Sequence, residues 1–169
     1  MSERKCGTCT LCCTTLAVPE LGKKNGERCV HLTSEGCGIY EDRPLSCRMF
    51  ECAWLQGAGV GLHTRPDFTG GVLIGELDEG PHKLGHAMVV YTDPNGKDIR
   101  RSKYLTNVIE RVVEMGEAVF IIEGEERTLI AKPDSPYVRK VAELEAEILA
   151  NPEGETARLQ AQAEGKNEE

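Results

Sequence analysis

After Cys52 the remaining 117 of the 169 residues contain no cysteine at all. Aromatic side chains make up only 5% of the chain, and positive charge is outweighed, leaving a formal net charge of −8. That combination argues against a nucleic-acid partner, which needs a basic stripe carrying rings on which bases stack. No run approaches the roughly 18 apolar residues of a membrane span. The opening Met-Ser-Glu-Arg-Lys-Cys has no apolar signal segment, so a cytoplasmic, thiol-reducing setting is expected. Nucleophile–base pairs, phosphate-cradling glycine loops and paired carboxylates are also missing. No catalytic constellation is evident.

What is present is concentrated at the start. Cys6, Cys9, Cys12, Cys13, Cys29, Cys37, Cys47 and Cys52 all fall within the first third, opening with Cys6-x2-Cys9-x2-Cys12-Cys13. A Cys-x2-Cys turn aims two thiolates at a point about 4 Å across, the bite of tetrahedral zinc or of an iron in an iron–sulfur cluster. A disulfide framework is the competing reading of an even cysteine count. The reducing setting opposes it, as does the strain of bonding the neighbours Cys12 and Cys13. Buried thiols acting as small hydrophobes fit poorly in so glycine-rich and charged a segment.

Consecutive side chains diverge, so Cys12 and Cys13 chelate one ion poorly. Two centres, or one polynuclear centre, are expected to share the N-terminal loop. Cys6, Cys9 and one of the adjacent pair would anchor one four-coordinate site, and later cysteines the other. Full thiolate coordination leaves no open position for Lewis-acid catalysis and favours a structural or electron-transfer role. Iron–sulfur binding is the alternative. The run begins like a bacterial ferredoxin motif, but Leu16 stands where its fourth cysteine belongs and no proline follows.

Together with Cys29, Cys37 and the stretch Ile39-Tyr40-Glu41-Asp42-Arg43-Pro44-Leu45-Ser46-Cys47-Arg48-Met49-Phe50-Glu51-Cys52, this pattern resembles the YkgJ-type cysteine-cluster family. The resemblance covers residues 6–52 and implies a zinc- or iron-chelating protein with all eight cysteines as ligands. A related cluster in flagellin lysine methylases makes a protein-modifying methylase a distant alternative, although no methyl-donor-binding signature is visible. Arg43 and Arg48 flank the Cys47 stretch, where a guanidinium can offset thiolate charge; Arg48, beside a ligand, is the stronger candidate. His31 lies inside the cluster region, where it could replace a cysteine at one site, but a surface position is expected; His82-x3-His86 is expected to belong to a loop. Arg100, Arg101 and Lys103 are expected to form a solvated turn, with an anion or partner patch as the alternative.

Residues 1–65 carry eight Lys/Arg against seven Asp/Glu, whereas residues 66–169 carry twelve against twenty-one. The expected architecture is α+β: a cysteine-rich, metal-bound module over residues 1–58, packed on or linked to a small domain over residues 59–150. Residues 151–169 read as a flexible tail, and a junction is expected at residues 56–61. Strands are predicted at residues 70–77, 87–92, 118–122 and 127–131, with a turn at Asp93-Pro94-Asn95-Gly96. Leu105, Val108, Ile109 and Val112 mark one amphipathic helix, capped by Ser102 and closed by Gly116. Val138, Val141, Leu144 and Ile148 mark a second, begun by Ser135-Pro136. The metal ion is the expected partner; a protein partner is left unidentified.

Overall fold

The computed structural model describes residues 4–57, 61–78 and 85–150. Glycine and polar residues interrupt every apolar run of its first third, so the elements there are short. They are helix α1 (Cys12–Thr15), the hairpin of β1 (Leu32–Thr33) and β2 (Gly36–Cys37), and helices α2 (Leu45–Met49) and α3 (Ala53–Gln56). Helix α4 (Pro66–Thr69) follows. The middle of the expected junction, residues 58–60, lies outside the described residues, as does the expected tail.

The body is built from β3 (Gly71–Asp78), β4 (Gly85–Thr92), helix α5 (Lys103–Glu114), β5 (Ala118–Glu123), β6 (Glu126–Ile130) and helix α6 (Pro136–Ala150). The four strands form one sheet in the order β3-β4-β5-β6. β3 and β4 pair antiparallel, β4 and β5 parallel, β5 and β6 antiparallel. The parallel pair needs a crossover, and α5 supplies it. The chain is α+β.

Each helix boundary has a local cause. The Ser102 hydroxyl accepts from the Leu105 N–H, and Gly116 leaves the helix at φ +93°, a conformation other residues resist. The Ser135 hydroxyl accepts from the Tyr137 N–H at the start of α6, and the Tyr137 hydroxyl donates to Glu117 at 3.0 Å. Val138 and Val141 are half-buried on the predicted face; the Leu144 and Ile148 side chains lie outside the described residues.

Alternation along the strands assigns the two faces. Leu73 and Val90 are directly paired and fully buried, and a Cβ on neighbouring Gly71 would stand 2.8 Å from Leu105 Cδ2. That face therefore carries α5, with Leu105, Ile109 and Val112 buried against it. The opposite face presents Tyr91, paired with Val72, and Ile74, paired with Val89. It is this face that meets the cysteine-rich segment. Cys52, Ala53 and Trp54 join the same core as Leu73, Val90 and Leu105. At the hairpin joining β5 and β6 the contact is backbone on backbone. A Cβ on Gly26 would lie 2.7 Å from Gly124 Cα, so only glycine fits.

Candidate metal centre

The N-terminal loop is closed by a tight turn in which the Cys9 N–H donates to the Cys6 carbonyl at 3.0 Å, with Gly7 at φ +56°. Helix α1 follows immediately and begins at Cys12 and Cys13. The Cys29 N–H donates to the Cys13 carbonyl at 2.8 Å, which draws the next loop against α1. Cys37 comes in on β2, opposite Leu32, and Cys47 on α2. Residues far apart in sequence are thereby gathered around one space.

That space is a cavity of about 630 Å³, and seven of the eight cysteines line it: Cys6, Cys9, Cys12, Cys13, Cys29, Cys37 and Cys47. Cys52 is 8% exposed and is not part of the lining, but it lies within electrostatic range of Cys6, whose pKa it helps to raise. Ile74 and Tyr91 reach the cavity from the sheet. All eight cysteines are free thiols, so no disulfide competes for the sulfurs. Among the described residues, no three Cys, His, Asp or Glu side chains close into a group that could hold a metal ion. The thiols face a common space without converging. Short loops with few buried anchors would have to move inward for sulfurs to meet at a single ion.

The charges around the sulfurs are uneven. Desolvation raises the pKa of Cys6, Cys9 and Cys47. Cys12 is raised first by the hydrogen bond its thiol donates to Cys13, then by burial and by repulsion from Cys13, Cys9 and Cys6. Cys13 moves the other way, to about 7, because it accepts that bond; Lys23, Arg43 and Arg28 add to the effect against the opposing cost of burial. The repulsions sort the sulfurs by neighbourhood. Cys6 feels Cys52, and Cys12 feels Cys9 and Cys6, whereas Cys47 feels Cys13 and Cys29. The adjacent pair straddles the two groups.

A depressed thiol pKa predicts selective chemistry in metal-free protein. At pH 7 Cys13 is about half thiolate, against a few per cent for an unshifted cysteine, and the thiolate is the nucleophile. Brief treatment with iodoacetamide is therefore expected to label Cys13 several-fold faster than Cys6, Cys9, Cys12 or Cys47, as read by peptide mass spectrometry. Labelling of Cys13 should slow as pH falls below 7, where it takes up its proton, and the preference should fade as pH rises and the other thiols ionise in turn. Uniform labelling would contradict this electrostatic picture.

Lys23 went unnoticed in the sequence. It is only 7% exposed, its ammonium donates to the Leu16 carbonyl, and the thiolate charges of Cys29, Cys13 and Cys12 favour its charged form against a larger desolvation cost. A buried cation beside thiols offsets their charge, and nothing in the local pattern distinguishes it from the exposed Lys24. The arginines also divide differently from expectation. Arg43 lines the cavity, with its guanidinium 3.7 Å from the centre of the Tyr40 ring and its Nε donating to the Tyr40 carbonyl at 2.8 Å. Arg48 is exposed and off the cavity wall. Helix α2 turns it outward when Cys47 turns in.

His31, expected at the surface, is half-buried on the cavity wall. His63 is exposed and stacks on Tyr104. His82 lies outside the described residues; His86 belongs to strand β4 rather than to a loop. Among the described residues no helix is long and apolar enough to cross a membrane. No family model, curated protein or solved structure matches the chain.

Proposed function

We propose that this chain is a metal-binding protein that holds zinc through its eight cysteines, in a structural or accessory role rather than a catalytic one. Membership of the YkgJ-type cysteine-cluster family is part of the same proposal. The observation that carries it is the gathering of seven free thiols from four separate segments around one cavity, with the eighth buried and within electrostatic range of Cys6. Soft thiolate donors suit zinc, and eight of them fill two four-coordinate sites. Cys6, Cys9, Cys12 and Cys52 would hold one ion, and Cys13, Cys29, Cys37 and Cys47 the other. Lys23 and Arg43 would offset the thiolate charge. Bound zinc would cross-link segments that bury little apolar surface of their own.

Iron is the second reading, favoured by the size and continuity of the cavity. About 630 Å³ with Leu16, Ile39 and Phe50 among its lining accommodates a bulky iron–sulfur cluster. Such a cluster would support electron transfer or an accessory role beside an enzyme. Metal and sulfide analysis of protein purified without oxygen separates the two. Colourless protein with about two zinc ions per chain is expected. Brown protein with near-stoichiometric iron and sulfide overturns the zinc assignment, and protein that takes up neither metal overturns both.

A further inference from the structure

The cations of residues 97–103 take no part in the thiol cavity and form a surface of their own. Lys97, Arg100, Arg101 and Lys103 stand there with Asp98 in the same segment, Asp67 near Lys97 and Glu123 near Arg100, whereas the rest of residues 66–169 carries twenty Asp/Glu against eight Lys/Arg. The Arg100 and Arg101 side chains are 86% and 89% exposed, although Asp98 accepts from Arg100 at 3.0 Å and lies 3.9 Å from Arg101. Lys103 opens α5, where a cation works against the helix dipole, so helix stability does not explain its position.

Beside these charges lies an exposed apolar platform. The His63 and Tyr104 rings stack with centroids 4.9 Å apart and planes 20° from parallel. Tyr104 and Leu62 are nevertheless 54% and 64% exposed. The platform is tied to the core. The Trp54 indole donates to the Leu62 carbonyl at 3.1 Å, and the buried residues Ile99 and Leu105 pin the basic segment from below. A preformed surface loses little entropy when a partner settles on it.

We infer that Leu62, His63 and Tyr104, with Arg100, Arg101 and Lys103, form a docking surface for an acidic segment of a partner protein that carries an apolar or aromatic anchor. Guanidinium groups match carboxylates in charge and in fork geometry, while the stacked rings offer contact area for the anchor. Charge complementarity sets the class of occupant. A nucleic-acid strand needs a longer basic stripe than these few cations supply, in a region of the sequence that is acidic on balance. A short acidic peptide needs no more than this patch.

The test selects a random dodecapeptide display library on the intact, metal-loaded protein. Recovered peptides are expected to be enriched in Asp and Glu around an apolar residue. The best of them should lose at least about tenfold in affinity between low and high salt, and as much on Arg100→Glu with Arg101→Glu. Tyr104→Ala should weaken the same peptide by about five- to tenfold. Metal content and the circular dichroism of each variant should match the parent, which separates loss of the surface from loss of the fold or of the thiol centre. Recovery of neutral peptides, or binding that survives charge reversal, overturns the proposal. So does an oligothymidylate that binds more tightly than the best peptide and displaces it.

Discussion

A strong chelator is expected to abolish hydrogen-exchange protection from residue 4 to about residue 51 while leaving β3, β4, β5 and α5 protected. Between residues 4 and 51 only Thr15, Val18 and Lys23 are buried, whereas the sheet and α5 bury Val72, Leu73, Val90, Leu105, Ile109, Ala118 and Val119. The helices of the first segment are four or five residues long and its hairpin strands two, too short to persist alone. Thiolate–metal bonds would have to offset its chain entropy, and a structural zinc site supplies on the order of 10 kcal/mol. The boundary should fall at Cys52 because Cys52, Ala53 and Trp54 already belong to the core beneath the sheet. Cys9→Ser should act in the same direction more mildly. Exchange measured by segment reads the result directly. Simultaneous loss of protection across both regions would make the metal the keystone of one cooperative unit and dissolve the division between residues 1–58 and 59–150.

Cys12→Ser and Cys13→Ser should each lower bound zinc by up to one ion of about two, and the double substitution should affect both sites. Cys12 stands among Cys9 and Cys6, and Cys13 is surrounded by Lys23, Arg43 and the charge of Cys47. Losing one of four ligands should cost on the order of 3 kcal/mol, roughly a hundredfold in affinity for that ion. The mutual influence of the two thiols sharpens the test, because the ionisation of each bears on the other. If one of them is a ligand and the other only its hydrogen-bonding neighbour, one single variant will keep its full metal content. The double variant will then match the damaging single one. That outcome removes the two-centre division.

The body of the fold was legible because its signals are local. Strands predicted at residues 70–77, 87–92, 118–122 and 127–131 fall on β3 to β6 with shifts of one or two residues at their ends. Ser102 and Gly116 bound α5 as their capping chemistry requires, and Gly124 turns the β5–β6 hairpin at φ +62°. His86 was misplaced because Gly80-Pro81 and Gly85 outweighed the apolar run that follows. Lys23, Arg43 and Arg48 were the harder residues. A lysine seven residues after Leu16 shows no sign of donating to its carbonyl, and choosing between two arginines five positions apart needs the direction in which α2 faces.

The sequence alone established that eight cysteines crowd into 47 residues and that an α+β body follows, and their spacing raised the expectation of metal ligation. Spacing along a chain and the period of apolar residues are properties of near neighbours, and they survive without a third dimension. Tertiary structure decided the rest. It set Ile74 and Tyr91 of the sheet into the wall of a thiol-lined cavity, buried Lys23 beside the sulfurs and grouped the cysteines by charge neighbourhood. Those relations join residues up to several dozen positions apart. They depend on which face of the sheet the N-terminal loops cover, which is settled only when the apolar surfaces of both are buried together.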